Sequence, residues 1–469
     1  MNVLFIFSAK DSLEPDQPLD TQMHVQLGVS SIAALLKAQG HATELLVLCR
    51  KTARARIDET ITRFDPRLIC FSAVFSEYDF IARIARYIKS RYPRIYLLAG
   101  GPHVSLNPEE AARDAFDAVC LGEGEFPALE LVDQLERGPE PAAIPNLWIT
   151  DGEHIQRNAA RQFNEDLDGL PFPDREMWQK WIRCSLTAHT VLLGRGCPFH
   201  CTYCCNHALR GIAPGRYVRF RSPRNIVREI EEVSARYPQP PTIYLENETV
   251  GVNTEFAQEL CSRLERLNRD RTRPLSFGIN LRITPGADYN PLFRAMQKAK
   301  FSSVNIGLES GSERVRRRIL GRNYSNSDYL QAVGLAREYG LKINVFVMIG
   351  IPGETLADFR QTIDCVRRSQ PDEPFYSIFF PYPGTVLYKK CKEQGLLPER
   401  LDVRGERGRA ILDLPGFSRR QIQSEYDWFY YNVYKGYRPW GVIWRKTKRR
   451  KIRSSYLLST VYSKLALPW

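Results

Sequence analysis

The sequence lacks any apolar run long enough to cross a membrane. Its 469 residues are 43% hydrophobic and 25% charged, ordinary values for a globular protein, but no uninterrupted apolar stretch approaches the roughly 20 residues that span a bilayer. Residues 1–7 carry neither a basic leader nor a cleavage site, so we interpret them as a first strand and not as a signal peptide. A cytoplasmic location is therefore expected.

Acidic residues are missing from the C-terminal end of the chain. None follows Asp427, so most of the net charge of +13 belongs to this segment. The basic residues there are Lys435, Arg438, Arg445, Lys446, Lys448, Arg449, Arg450, Lys451, Arg453 and Lys464. Aromatic and apolar residues are interleaved with them, a pattern that suits an anionic lipid surface, where each Lys or Arg contributes about 1 kcal/mol. We expect peripheral contact at the inner membrane face; a helix packed on the protein with a solvated basic side is the alternative.

The cysteines lack the two separated pairs of a typical zinc site and the regular spacing of a disulfide framework. Instead, Cys197, Cys201 and Cys204 stand at C-x3-C-x2-C spacing directly after the apolar run 191–193. Three thiolates in one short loop can hold three corners of a [4Fe–4S] cube and leave the fourth iron open to a chelating molecule. Zinc stays an alternative, because a fourth ligand could come from Cys205, His200 or His207.

This spacing, with Tyr203 just before the third cysteine, resembles the radical S-adenosylmethionine (SAM) enzymes. The resemblance implies that Cys197, Cys201 and Cys204 bind a [4Fe–4S] cluster and that SAM chelates the open iron through its amino and carboxylate groups. We expect Cys205 to be a bystander.

Residues 1–145 alternate apolar runs with amphipathic stretches, which predicts a doubly wound parallel sheet with helices on both faces. The predicted strands are residues 3–7, 43–48, 68–72, 95–99 and 118–121. Glycine-rich turns at 100–103 and 122–125 follow the last two, at the carboxyl ends where such sheets bind ligands.

Together with the cysteine loop, this segment resembles the cobalamin-binding, flavodoxin-like domain of the cobalamin-dependent radical SAM family. The resemblance implies cobalamin contacts from Gly100, Gly101, His103, Gly122 and Glu123. The D-x-H-x-x-G motif of many cobalamin domains is missing, because Met23 and Val25 occupy the Asp and His positions. We therefore expect cobalamin to bind without a histidine lower ligand, which favours methyl transfer.

A connector at 146–185 is predicted to contain a hairpin turn at 150–153 and an extended linker at 167–174. Residues 186–390 then repeat strand and helix six times, which predicts a partial (β/α)6 barrel with its chemistry at the carboxyl ends of the strands. Residues 391–469 are expected to form a helical, basic extension. The predicted barrel strands are 190–193, 242–245, 275–279, 303–308, 342–349 and 375–380.

Several residues at the predicted strand ends match positions that the radical SAM family uses. The resemblance implies SAM contacts from Glu248, Arg282, Glu309, Ser310 and Gly350. Each of these residues, taken alone, could equally be a helix cap or part of a turn.

The resemblance implies a cobalamin-dependent radical SAM enzyme that methylates an unactivated carbon through a 5′-deoxyadenosyl radical and methylcobalamin. Cyclisation, ring contraction or oxidation with the same cofactors are alternatives, and a non-catalytic metal-cluster protein that binds nucleic acid is an alternative from another class. The expected partners are a small-molecule or lipid-like substrate and an electron donor of the flavodoxin or ferredoxin type. No nucleic acid is expected, because the basic tail has no recognisable nucleic-acid-binding fold.

Overall fold

The computed structural model describes residues 1–52, 54–138, 141–150, 154–184, 188–237, 242–247 and 250–454. Three sequence-based predictions fall outside these residues: the tip of the hairpin turn at 151–153, Glu248, and the tail from 455 onward. The chain divides into two compact units. The first contains Met1–Phe199 and Cys205–Glu246, and the second contains His200–Cys204 and Asn247–Trp469.

The first unit is built on a largely parallel sheet. Its strands are β1 (Asn2–Ser8), β2 (Leu19–Thr21), β3 (Ala42–Leu48), β4 (Leu68–Ser72), β5 (Tyr96–Gly100), β6 (Ala118–Cys120), β7 (Leu147–Thr150), β8 (Ile155–Arg157), β9 (Ile182–Cys184), β10 (His189–Leu192), β11 (Gly194–Arg195), β12 (Arg219–Phe220) and β13 (Thr242–Glu246). The main sheet has the order β3-β1-β4-β5-β6-β7-β8, and its first five strands are parallel. This is the flavodoxin-like strand order, so the predicted fold class is confirmed.

Helices of the first unit are α1 (Leu27–Ala38), α2 (Arg54–Phe64), α3 (Phe75–Arg91), α4 (Pro102–Leu106), α5 (Pro108–Ala111), α6 (Glu125–Arg137), α7 (Asn206–Leu209) and α8 (Pro223–Arg236). Their apolar residues recur at helical spacing and face the sheet, as α3 shows with Ile81, Ala85 and Ile88, all fully buried. The turn predicted at 100–103 leads directly into α4, because Pro102 suits the first position of a helix. His103 therefore lies on a helix.

The segment predicted as a connector packs onto the first unit. The strands β7 and β8 form an antiparallel pair that joins the sheet at β6, so the two strands of the predicted hairpin are present. Further on, a 3₁₀-helix at Glu176–Trp181 buries Trp178 completely. The ring of Trp178 stacks edge-on against Phe7 at 5.3 Å, and its Nε1 donates a hydrogen bond to Ser30 Oγ at 2.8 Å. A buried tryptophan with a satisfied N–H fixes this segment in place.

The predicted strand and helix repeat is present in the second half of the chain. Its first two strands, β10 and β13, pair in parallel within the first unit. The other four belong to the second unit and pair in parallel in chain order. They are β14 (Ser276–Leu281), β15 (Phe301–Glu309), β16 (Lys342–Ile349) and β17 (Glu373–Ile378).

Helices of the second unit are α9 (Thr254–Arg269), α10 (Asn290–Lys298), α11 (Asn326–Glu338), α12 (Leu356–Ser369), α13 (Val386–Glu393), α14 (Arg419–Tyr434) and α15 (Trp440–Ser454). The C-terminal region is helical, as predicted. Helix α14 covers β17, where Tyr376 contacts the ring of Phe429 at 4.6 Å. In the part of the chain that the structure describes, no helix is long and apolar enough to cross a bilayer.

Strand β15 is irregular at its carboxyl end. The pairing with β16 shifts between Gly307 and Glu309, so Leu308 is an extra residue opposite a continuous partner strand. Glu309 has a φ of +62°, in the left-handed region that residues other than glycine rarely occupy. A bulge of this kind changes the direction of a side chain and commonly lies beside a functional site.

Candidate active site

The loop with the three cysteines is anchored through Thr202. Its Oγ1 donates to the carbonyl of Ile319 at 2.7 Å, its N–H donates to Leu320 O at 3.3 Å, and its carbonyl accepts from Leu387 N at 3.0 Å. Cys197 and Cys201 are buried and Cys204 is half-buried. Within the described residues, no three His, Cys, Asp or Glu side chains are grouped closely enough to bind one metal ion. A cluster does not need such a group, because each cysteine binds a different iron.

The segment before Cys197 runs very close to another part of the backbone. Strand β11 pairs antiparallel with β12. A Cβ on Gly194 would lie 2.2 Å from Arg219 O, and a Cβ on Gly196 would lie 2.2 Å from Tyr217 O. Gly196 also has a φ of +81°. Both positions therefore require glycine, which explains why Gly194 and Gly196 precede the first cysteine.

A network of ion pairs holds Arg195, which lies between these glycines. Arg195 pairs with Glu123 at 3.1 Å and with Glu125 at 2.5 Å, and Arg219 pairs with Glu123 at 2.7 Å. Burial alone would raise the pKa of Glu123, but the hydrogen bonds and charges of Arg219 and Arg195 outweigh it and hold that pKa below its ordinary value. Glu123 is therefore ionised and links the turn after β6 to the approach of the cysteine loop.

Arg282 lies beside a candidate cluster ligand. Its Nη1 is 2.8 Å from Cys201 Sγ, within hydrogen-bonding distance for sulfur. Three cysteines in one loop, with a guanidinium donor beside Cys201, fit a [4Fe–4S] cluster.

Tyr203, Arg322 and Glu309 form one buried group. Arg322 Nη1 lies 2.8 Å from the Tyr203 hydroxyl and 3.1 Å from Glu309 Oε1, and its Nη2 donates to Gly307 O at 2.7 Å. Burial raises the pKa of Tyr203 well above its ordinary value, so the hydroxyl stays neutral. Through Arg322, the cysteine loop is tied to the bulge of β15.

The other predicted SAM contacts are placed differently. Ser310 is fully buried and its Oγ lies 3.3 Å from Thr362 Oγ1, so it contacts α12. Gly350 has a φ of +76°, and a Cβ there would lie 2.9 Å from Ile422 Cγ2. The turn that starts at Gly350 is closed by Glu354, whose Oε2 accepts hydrogen bonds from Gly350 N at 2.8 Å and Ile351 N at 3.2 Å.

The predicted cobalamin contacts lie at the carboxyl ends of neighbouring strands β5 and β6. Gly101 has a φ of +97° and Gly122 a φ of +83°. A Cβ on Gly101 would lie 2.8 Å from Ala73 O, so glycine lets the turn after β5 pack closely on the neighbouring backbone. Sheets of this kind bind ligands at the carboxyl ends of their strands, where these turns lie. His103 is buried instead against Tyr78, with ring centroids 4.4 Å apart, and its Nε2 lies 3.3 Å from Glu110.

Sequence reasoning missed Arg195, Arg322 and the closing role of Glu354. Arg322 and Arg195 stand in no motif of their own, and their importance arises from partners distant in sequence. Glu354 could have been suspected, since a carboxylate four residues after a turn glycine can accept its backbone N–H groups.

Comparison with known proteins identifies both domains of the chain. The Radical SAM superfamily model matches residues 191–366, and the B12 binding domain model matches residues 21–132. An uncharacterized methyltransferase of Pyrococcus horikoshii is 25% identical over 79% of this chain and 79% of its own. Two solved structures share the fold.

One is the radical SAM methyltransferase TsrM of Kitasatospora setae, with a TM-score of 0.66 and 17% identity over 84% of this chain and 76% of its own. The other is the cobalamin-dependent SAM radical enzyme OxsB, with a TM-score of 0.73 and 15% identity over 98% of this chain and 72% of its own.

The chain is a radical SAM protein with an N-terminal B12-binding domain. It belongs to the cobalamin-dependent radical SAM enzymes, and its cofactors are a [4Fe–4S] cluster, SAM and cobalamin.

Proposed function

We propose that this enzyme transfers a methyl group to an unactivated carbon of a small-molecule substrate. The observation that carries the proposal is the pairing of Arg282 with the Cys201 thiol, in a chain that also has a B12-binding domain. The similarity to a protein named a methyltransferase supports methyl transfer over the other reactions of the family.

Each residue of the site has a defined task in this proposal. Cys197, Cys201 and Cys204 would hold the cluster, with Arg282 donating a hydrogen bond to Cys201 Sγ. Arg322 would hold Tyr203 and orient Glu309 toward SAM. When bound, the three cofactors supply the electron, the radical and the methyl group.

The cluster assignment is tested by anaerobic reconstitution of single variants. The protein should bind about four iron atoms per chain. Changing Cys197, Cys201 or Cys204 to Ala should abolish formation of 5′-deoxyadenosine from SAM, while Cys205→Ala should leave it largely intact. If Cys205→Ala were as damaging as Cys201→Ala, the assignment of the three ligands would be wrong.

The reaction type is tested on product mass. Incubation with SAM, cobalamin, reductant and an extract of small molecules should yield a product heavier by one methyl group, with two SAM consumed per turnover. A cyclised or oxidised product without the added methyl would instead establish another reaction of the same cofactors.

The lower face of cobalt is tested by electron paramagnetic resonance of the cob(II) form. The sequence has Met23 and Val25 at the positions of the usual Asp and His. The signal should therefore show no splitting by a coordinated protein nitrogen. Splitting that disappears in His24→Ala would show that a histidine does bind cobalt.

A second proposal concerns the surface of α15. Trp440 and Trp444 are one helical turn apart and 66% and 61% exposed, while Ile443 and Thr447 are buried on the other side. Arg445, Lys448 and Arg449 are exposed beside the tryptophans. Exposed tryptophans among cations suit the headgroup region of an anionic membrane. Helix α15 would then hold the enzyme at such a surface.

Vesicle flotation tests this second proposal. The protein should float with anionic vesicles but not with neutral ones, and binding should fall with salt. Changing Arg445, Lys448 and Arg449 together to Glu should abolish flotation, whereas the same change at exposed Arg266 of α9 should not. Equal failure of all proteins to float would leave α15 as ordinary packing.

A further inference from the structure

Strands β14 to β17 present one face on which two large aromatic side chains, Phe346 and Phe375, are exposed. Side chains alternate along a strand, so Phe375 and Tyr376 point to opposite sides of β17. Tyr376 is buried against Tyr426 and Phe429 of α14. Phe375 therefore lies on the other side, together with Phe346, Asn344, Asn305 and Asn280, which are its neighbours by register and alternation. We call these five residues the open face.

Three asparagines of the open face form a continuous row across neighbouring strands. Asn280 is in register with Asn305, and Asn305 with Asn344. Asn344 Nδ2 donates to Asn305 Oδ1 at 2.8 Å, and Asn305 Nδ2 lies 3.3 Å from Asn280 Oδ1. Asn344 and Asn305 each donate toward β14, so Asn344 is the last member of the row and keeps its Oδ1 and its second N–H for another partner. An amide edge of this kind pairs with a ligand that both donates and accepts a hydrogen bond.

Two phenylalanines adjoin the end of this row. Phe346 is two residues beyond Asn344 on β16 and in register with Phe375. Their rings are nearly parallel, with centroids 5.4 Å apart and an interplanar angle of 28°. They are 37% and 46% exposed, although most large apolar side chains of these strands are buried. Exposed rings beside organised polar groups mark a ligand site.

The open face is close to the chemistry. Arg282, the partner of Cys201, is two residues beyond Asn280, a rise of about 7 Å along the strand direction. The asparagine row continues to Glu373, but the charge of that residue is balanced by Lys446, whose Nζ contacts its carboxylate. On β16 itself, the exposed Lys342 lies two residues before Asn344 on the same face.

We propose that the open face binds the methyl acceptor, and that the acceptor is a flat, largely apolar molecule with an amide-like edge. The flat part lies over Phe346 and Phe375, and the edge pairs with Asn344. That the bound molecule is the methyl acceptor rests on the proposed function. Its chemistry is inferred from the open face alone.

Three probes test the chemistry on the reconstituted holoenzyme. 2-Quinolinone is a flat lactam with an N–H beside a carbonyl, N-methyl-2-quinolinone lacks that N–H, and cyclohexanecarboxamide keeps an amide edge without a flat ring. Binding is measured by equilibrium dialysis. We expect 2-quinolinone to bind about tenfold more tightly than either of the others, because each of them loses one of the two interactions.

Single and double variants test whether the probes bind at the open face. Asn344→Leu should remove the difference between 2-quinolinone and its N-methyl form. Phe346→Leu, which keeps an apolar side chain, should weaken both about equally, and the double variant Phe346→Ala and Phe375→Ala should weaken them further. Trp428→Ala, which removes a similarly exposed ring on α14, should change neither.

Failure of this proposal differs from failure of the proposed function. If no probe binds to the folded holoenzyme, or if 2-quinolinone binds every variant equally, the open face is not the binding site, whatever the enzyme methylates. If binding depends on Asn344 but no methyl transfer occurs with any substrate, the site stands and the proposed reaction is wrong.

Discussion

Glu123 accepts its hydrogen bonds from Arg195 and Arg219, and Arg195 is only two residues before Cys197. Glu123 stands in the turn after β6 that the sequence assigns to cobalamin binding. Its carboxylate is occupied by two arginines of the segments that flank the cysteine loop. The proposed role of Glu123 is therefore to position that loop, in addition to any contact that its backbone makes with cobalamin.

Glu123→Gln should weaken the ion pairs with Arg195 and Arg219 that position the cysteine loop. The amide keeps one acceptor oxygen but loses the charge, which leaves Arg219 buried with poorer partners, a cost of about 1–3 kcal/mol. Iron should be lost to a chelator several times faster than from the parent protein. Glu130→Gln, which alters the more exposed pair with Arg161, is the matched control. Equal rates of iron loss in both variants would contradict the positioning role.

Gly196→Ala should prevent proper formation of the cysteine loop. A Cβ there would overlap Tyr217 O at 2.2 Å, and the positive φ adds strain. We expect less iron per chain after reconstitution and a lower Tm. Gly211→Ala is the control on the same side of the loop, because its Cβ would meet only Ala208 O at an ordinary 3.5 Å. A fully loaded Gly196→Ala protein would show that the backbone can relax at this point.

Arg322 should couple Tyr203 to Glu309. Arg322→Lys keeps a charge but cannot contact Tyr203, Glu309 and Gly307 at once, so we expect SAM cleavage to fall roughly 10-fold or more. Tyr203→Phe should remove part of the same interaction, and the double variant should be less than additive. Arg317→Lys, a half-exposed arginine on the same segment, should have little effect. Strictly additive losses would show that the two residues act independently.

The fold was predictable because it depends on local patterns. The buried runs of β1 and β4 coincide with the predicted segments, since parallel strands buried on both faces are almost continuously apolar. The cysteine loop was predictable for a similar reason: its three ligands lie within eight residues, so their spacing is visible without any knowledge of the tertiary structure.

The ion pairs and hydrogen bonds that position the cysteine loop were not predictable. Arg195 is paired with Glu123 from 72 positions earlier, and Arg322 reaches Tyr203 from 119 positions later. A charged residue in a sequence does not indicate whether it will be solvated or buried with a distant partner. The open face was equally hidden, because the alternation of Asn344 and Phe346 with buried residues does not show which side of the sheet the helices cover.

The stability of the protein should depend on pH through Glu354. Burial raises the pKa of this carboxyl from 4.5 to about 8, although it accepts two backbone hydrogen bonds, and Oε1 has no hydrogen-bond partner in the described part of the chain. The folded state therefore holds a proton between pH 4.5 and 8 that the unfolded state releases. Stability must fall as pH rises through this window, by something on the order of 4 kcal/mol.

Glu354→Gln isolates this contribution, because Gln stays neutral at every pH and can still accept the hydrogen bonds from Gly350 and Ile351. In thermal unfolding of the cofactor-free protein, the Tm of the variant minus the Tm of the parent protein should increase steadily from pH 5 to pH 8.5. Glu338→Gln, an exposed carboxylate on α11, should follow the parent protein throughout. A constant difference between Glu354→Gln and the parent across this range would mean that Glu354 is already ionised in the fold, and that water or a rearranged partner reaches Oε1.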